Sequence, residues 1–286
     1  MDGEAVGHKR AFGRGELISL LEAHRIRPSR ALGQNFLVDP NQAERIARLA
    51  GVGEGDRVVE IGAGLGSLSL ALVATGARLI AVEIDRRLLP LLSEVLSGSG
   101  VEVMEGDALR LEWARRLAGD GWQLVANLPY NIATPLVLEV LAKVPAVSRL
   151  LVMVQREVAE RLSASPGSKA YGAVSVRAAY FATARISGYV PASVFVPRPR
   201  VESALLQMVR RDRPAVGEEV ASYAEIDRLV GRGFAGRRKM LRRSLAGVVG
   251  EEEFEMAGIE PTRRPEELSV ESWGALASAC RRGAAR

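Results

Sequence analysis

Acids and glycines recur at strand-like intervals in the first half of this chain. Glu60-Ile-Gly62-Ala-Gly64-Leu-Gly66 directly follows a short apolar run. Glycines there let the backbone approach a ligand closely, and the helix that starts next offers free N–H groups. Glu83, in AVEID, ends a second apolar run. A carboxylate at that place can accept hydrogen bonds from both hydroxyls of a ribose. Asp107, in EGDAL, follows a third run and can accept from an adenine amino group. Either acid alone reads as a solvated loop residue. At successive strand ends, with the glycines, they point to a cofactor that contains adenosine, without choosing among such cofactors.

Asn127-Leu128-Pro129-Tyr130 narrows the chemistry. It resembles the N/D-P-P-Y/F motif of methyltransferases that act on exocyclic amino groups of bases. The lone pair of an adenine N6 is delocalised into the ring, so the nitrogen is a poor nucleophile. Acceptors placed at its N–H groups draw it toward tetrahedral geometry. The Asn127 side-chain oxygen and the Leu128 carbonyl can do this. Pro129 stiffens the turn and brings no competing N–H. Tyr130 offers a flat face to a flipped base, and such stacking is worth about 1–3 kcal/mol. The glycine spacing is G-x-G-x-G, because Ser67 holds the place of the third glycine of the dinucleotide fingerprint. It resembles motif I of the S-adenosylmethionine-dependent methyltransferases, whose usual preceding acid is here Glu60.

From about Arg27 to Ala277 the chain resembles the ribosomal RNA adenine N6-dimethyltransferases, in particular the bacterial small-subunit (16S) enzyme family. The stretches that carry the resemblance are LGQNFLVD (32–39), NLPYNIATPL (127–136), SKAYGAVSV (168–176), VFVPRPRVESALL (194–206) and FAGRRKMLRRSL (234–245). The resemblance implies contacts to S-adenosyl-L-methionine at Gln34, Asn35, Leu37, Gly62, Gly64, Glu83, Asp107 and Asn127. It implies that Phe195, in the F-x-P-x-P block, faces Tyr130 across the target base. It implies two methyls on each of two adjacent adenosines near the 3′ end of 16S rRNA, within a partly assembled small subunit. Direct transfer from the sulfonium needs no metal and no covalent intermediate. Ala63, where many relatives have Pro, departs from the pattern without touching a residue of proposed chemical role.

The net charge is +5. It conceals one basic segment: Arg228, Arg232, Arg237, Arg238, Lys239, Arg242 and Arg243 with no acid between them. Uncompensated cations on a helix repel one another, so an anionic partner is expected. Arginine also forks onto phosphates. Arg237, Arg238, Lys239, Arg242 and Arg243 are therefore expected on the rRNA backbone, with Arg198 and Arg200 as a second patch.

The elements that must position these residues follow from periodicity. Apolar runs at 57–61, 79–84, 101–106, 123–127 and 150–155 read as strands. Helical spacing lies between them at 67–75, 86–96 and 135–144. This alternation implies parallel βαβ units and an α/β fold, with the site at the carboxyl ends of the strands. The expected architecture is a class I, Rossmann-like methyltransferase with a seven-stranded, mostly parallel sheet. Helices at 17–25 and from 42 to 50 precede it. Helices at 222–234, 236–249 and 266–280 follow. The expected organisation is a flexible tail at 1–15, a methyltransferase domain at 16–210 and a helical rRNA-binding domain at 211–286.

Composition sets the limits. Apolar residues make up 48% and charged residues 26% of 286, as in an ordinary globular chain. No secretory or membrane-spanning segment is read, so a cytoplasmic location is expected. One cysteine, Cys280, and two histidines, His8 and His24, leave no metal site and no nucleophilic triad. A monomer is expected. Three other readings stay open: a resistance-type methyltransferase of large-subunit rRNA, a non-enzymatic RNA-binding factor on the same fold, and a nicotinamide oxidoreductase.

Overall fold

The glycine turn, Glu83, Asp107 and Asn127 stand at the ends of four adjacent strands, so their order along the chain becomes proximity in space. The computed structural model describes residues 10–284. Its strands are β1 (Phe36–Leu37), β2 (Arg57–Ile61), β3 (Arg78–Glu83), β4 (Glu102–Glu105), β5 (Trp122–Asn127), β6 (Val147–Gln155), β7 (Ala182–Val190), β8 (Phe195–Val196) and β9 (Ser203–Arg210). The main sheet has seven strands in the order β4-β3-β2-β5-β6-β9-β7. β4, β3, β2, β5 and β6 pair in parallel. This is the mostly parallel sheet expected from the alternating pattern. β1 and β8 form a separate antiparallel pair that joins Phe36 to Val196 and Leu37 to Phe195.

The helices are α1 (Arg14–Ala23), α2 (Pro40–Ala50), α3 (Ser67–Val73), α4 (Leu89–Val95), α5 (Trp113–Arg116), α6 (Ala133–Lys143), α7 (Arg156–Leu162), α8 (Ala173–Phe181), α9 (Tyr223–Ala235), α10 (Leu241–Ser244), α11 (Glu251–Ala257) and α12 (Val270–Ala284). Among the described residues none is long and apolar enough to cross a membrane. α2 shows how local chemistry sets the bounds. The Asp39 carboxylate accepts from the N–H of Gln42 at 3.2 Å, and Pro40 opens the helix where its missing N–H is harmless. Gly51 closes it in the left-handed conformation.

Two compact units emerge. The first runs to Arg156 and takes in Ile186–Met208. Its apolar layers bury Leu37, Ile46, Val58, Leu72, Met153 and Phe195 in one cluster and Leu17, Phe36, Leu65, Leu88 and Leu92 in another. The second takes in Glu157–Arg185 and the chain from Val209 onward. Its core gathers Tyr171, Tyr180, Leu229, Leu241, Phe254 and Trp273. Residues 157–185, read from the sequence as part of the methyltransferase domain, therefore cluster with the C-terminal helices. Of the expected tail 1–15, residues 1–9 lie outside the described residues, Ala11 is buried and α1 begins at Arg14.

The expected helix 236–249 shrinks to α10. Gly236 ends α9, and Gly247 adopts positive φ, so the stretch breaks at both ends. The apolar spacing still holds, since Leu241 and Leu245 are buried. α11, in the run of glutamates, was not expected.

Candidate active site

A cleft opens at the carboxyl ends of β2–β5, where ligands of open α/β sheets bind. Gln34, Asn35, Leu37, Gly62, Gly64, Glu83, Asp107, Asn127, Leu128, Pro129 and Tyr130 all line it. The sequence-derived cofactor and motif residues, Phe195 apart, are thus brought to one wall.

The glycine turn fits a ligand that comes close. Gly62 and Gly64 have φ of 77° and 61°, which other residues adopt only at a cost. A Cβ on Gly64 would lie 3.1 Å from the Phe36 ring, and one on Gly62 would lie 3.4 Å from Pro129. Glu83 organises the turn. One carboxylate oxygen accepts from the N–H of Gly64 at 2.8 Å, and the other from the N–H groups of Ile84 and Asp85 at 2.9 and 2.8 Å. Burial pushes its pKa up, and these amide donors oppose the rise. Three bonds leave lone-pair capacity for a ribose. Asp107 accepts from the N–H of Leu109 at 3.0 Å and lies 3.5 Å from Arg110. The buried hydroxyl of Ser67, on the cleft wall, has no partner within the protein. These features suit a cofactor that contains adenosine.

Glu60 sits beneath the turn, fully buried, and accepts from the Ser69 hydroxyl at 2.5 Å. Burial pushes its pKa up to about 8, partly offset by Ser69 and reinforced by the charge of Glu83. In the unfolded chain it titrates near 4.5. The folded state therefore holds a proton that the unfolded state releases. The associated stability is complete below pH 4.5 and is lost as pH rises through 8. Glu60→Gln keeps the acceptor and removes the titration. Relative to wild type, the variant is expected to gain up to about 3 kcal/mol between pH 4.5 and pH 7. Urea unfolding at pH 5.5 and 7.5 checks this, and parallel curves for the two proteins would refute it.

Asn127 ends β5, and its side-chain amide donates to the Asn35 carbonyl at 3.0 Å. A carbonyl only accepts, so the NH₂ end must face Asn35 and Oδ1 becomes the other end of the amide. The strap 29–38 that does this is tied on both sides. Gln34 donates to Asp85 at 2.8 Å and its oxygen accepts from the N–H of Ser29 at 2.7 Å. Asp85 in turn is held at about pKa 2, chiefly by its hydrogen bonds with Arg87. Beyond Asn35, β1 pairs with β8, and the N–H of Val38 donates to Val194 at 2.9 Å. Tyr130 is fixed from a different strand, since its hydroxyl shares a 2.7 Å hydrogen bond with buried Ser203 of β9.

Two expectations are corrected. Phe195 is not among the residues that line the cleft; it is fully buried with Leu37, Met153, Val190 and Leu205. Alternation along a strand explains this, because Val196 packs with the opposite cluster and Phe195 must then face the core. Arg237 is not a free cation. It pairs with Glu266 at 2.6 Å and donates to the Lys169 carbonyl at 2.7 Å. Arg238, Lys239, Arg242 and Arg243 are exposed, as are Arg198 and Arg200.

The sequence reading missed Ser203, Asp85, Ser67 and Ile84. Ile84 is 45% exposed at the cleft and offers an apolar face for a purine. The only local signal for it was its place directly after Glu83.

Comparison with known proteins accords with this geometry. A family model described as ribosomal RNA adenine dimethylase matches residues 24–280. A protein of Acidothermus cellulolyticus named ribosomal RNA small subunit methyltransferase A is 44% identical over 280 residues, 94% of each chain. One of the same name from Kineococcus radiotolerans is 45% identical over 91% of this chain and 88% of its own. Among solved structures, the 23S rRNA methyltransferase ErmE superposes with a TM-score of 0.69 at 25% identity, covering 86% of this chain and all of its own. A dimethyladenosine transferase from Plasmodium falciparum gives a TM-score of 0.70 at 22% identity, over 84% and 95% of the two chains, and shares the fold.

Proposed function

The chain belongs to the ribosomal RNA adenine dimethylase family, and from that premise we propose that it dimethylates N6 of two adjacent adenosines near the 3′ end of 16S rRNA. It is an S-adenosylmethionine-dependent methyltransferase of the class I fold. Support for the small-subunit branch is the 44% identity to a small-subunit enzyme along 94% of both chains, against 25% to a 23S enzyme. The observation that carries the chemistry is the hydrogen bond from the Asn127 amide to the Asn35 carbonyl, which leaves Oδ1 to accept from the substrate.

S-adenosylmethionine, when bound, supplies an electrophilic methyl group on its sulfonium. The chain's residues then have separable tasks. The turn at Gly62 and Gly64 admits the cofactor backbone-close, Glu83 accepts from the ribose, Ile84 covers the purine and Asp107 accepts from its amino group. Asn127 Oδ1 and the Leu128 carbonyl accept from the N–H groups of the target adenine and draw its nitrogen out of conjugation. Tyr130 supports the base, with Ser203 setting the ring. Catalysis on this reading is positioning and exclusion of water, with no residue acting as a nucleophile. Among the described residues, no group of three or more His, Cys, Asp or Glu could hold a metal ion.

The reading extends to a partly assembled small subunit as the substrate particle, met in the cytoplasm by a monomer. Arg238, Lys239, Arg242 and Arg243 would lie on its rRNA phosphates, with Arg198 and Arg200 as a second contact. Tritiated methyl transfer to small subunits lacking the modification, with large subunits alongside, tests this. Label is expected in small-subunit RNA. Label only in large-subunit RNA would move the protein to the branch of the 23S enzymes. Bound cofactor with no label on either would leave an RNA-binding factor without activity.

A further inference from the structure

The turn between α9 and α10 carries a side chain that the reaction does not use. Met240 is the N-cap of α10 and is 40% exposed. Methionine has no oxygen with which to cap, at a position that strongly favours Ser, Thr, Asp or Asn. The backbone just after it is satisfied another way. The N–H groups of Leu241 and Arg242 donate to the carbonyls of Arg263 and Pro261 at 2.7 and 3.0 Å, and the Leu241 side chain is sealed in the core. Met240 is thus a large apolar side chain left partly exposed on a braced turn. Arg238 and Lys239 precede it and Arg242 and Arg243 follow it, all four exposed. Among the described residues none of the four enters an ion pair.

An apolar side chain ringed by cations suits a surface that offers phosphates on its flanks and sugar carbons between them. The wide, shallow minor groove of A-form RNA displays riboses and base edges between its phosphates, so an apolar side chain there packs on sugar carbons beside the 2′-hydroxyls. Methionine is among the apolar side chains that other proteins wedge into the minor groove of DNA. We propose that Met240 is an apolar contact of the second unit in the minor groove of an rRNA helix, with the flanking cations on its phosphates. This rests on the reading of the protein as an rRNA methyltransferase.

The test is binding of the full chain to unmethylated small subunits, titrated from 50 to 300 mM KCl. A phosphate contact and an apolar contact differ in salt dependence. Arg242→Ala is expected to weaken binding and to reduce the slope of log K against log salt by about one. Met240→Ala is expected to weaken binding about 5–20-fold at every salt with the slope unchanged, consistent with loss of one buried apolar side chain. Met240→Leu is expected to restore it. Wild-type affinity in Met240→Ala, or a changed slope, would overturn the proposal. Wild-type behaviour in Arg242→Ala would overturn it too, by taking the turn off the RNA. Methyl transfer to the same particles judges the parent reading separately. Matched thermal melts exclude misfolding as the cause.

Discussion

Asn127→Ala is expected to lower kcat by about 10²–10³-fold, the range for removing one preorganised hydrogen-bonding group aimed at a reacting atom. Alanine removes Oδ1, the acceptor for the target amino group, and also the donor that holds the Asn35 carbonyl. Asn127→Asp separates these two tasks. It keeps an acceptor but turns an oxygen toward the Asn35 carbonyl, and two acceptors repel. The strap 29–38 is then expected to loosen, so that the aspartate variant loses cofactor affinity as well as kcat. Single-turnover methyl transfer together with calorimetric titration of S-adenosylmethionine measures both. An aspartate variant with wild-type kcat and affinity would show that the orientation imposed by Asn35 does not matter.

Glu83→Gln has the second large effect. The carboxylate accepts from three backbone N–H groups at 2.8–2.9 Å and is the proposed partner of the ribose. Hydrogen bonds to a charged group are worth about 1.5–3 kcal/mol each. Glutamine presents an NH₂ to donors at one end, so at least one of these bonds fails and the glycine turn loses its anchor. With the ribose contact weakened too, Kd for S-adenosylmethionine is expected to rise about 100-fold or more, since each 1.4 kcal/mol is tenfold. Tm is expected to fall with it, because the same carboxylate ties β3 to the turn. Calorimetry and a thermal melt check both. A Kd within threefold of wild type would place the cofactor elsewhere.

The cofactor end of the cleft was legible because its residues sit where local pattern and position coincide. RVVEI at 57–61 became β2 with those bounds, and QLVAN at 123–127 became β5 with one added residue. The acids and Asn127 that end such runs must fall on the carboxyl rim once the strands pair in parallel. Contacts without local signal stayed hidden. Ser203 meets Tyr130 across 73 positions, and the Asn35 carbonyl meets Asn127 across 92. The burial of Phe195 had no local signal either. The two-residue pairing of β1 with β8 turns its ring into the core, and no periodicity marks so short a strand. Arg237 looked unpaired because Glu266 lies 29 positions away. In the second unit the apolar spacing of Leu241 and Leu245 was right while the helix bounds were wrong, since spacing does not register where glycines interrupt it.

The central claim is that this cleft holds S-adenosylmethionine against the N6 of an adenine in small-subunit RNA. Mass spectrometry of nucleosides and fragments from unmethylated small subunits, after incubation with the protein and S-adenosylmethionine, tests it most directly. The expected result is N6,N6-dimethyladenosine at two adjacent positions near the 3′ end of 16S rRNA, absent with Asn127→Ala. Methyl groups on another atom or base, or the same product from the Asn127→Ala protein, would contradict it.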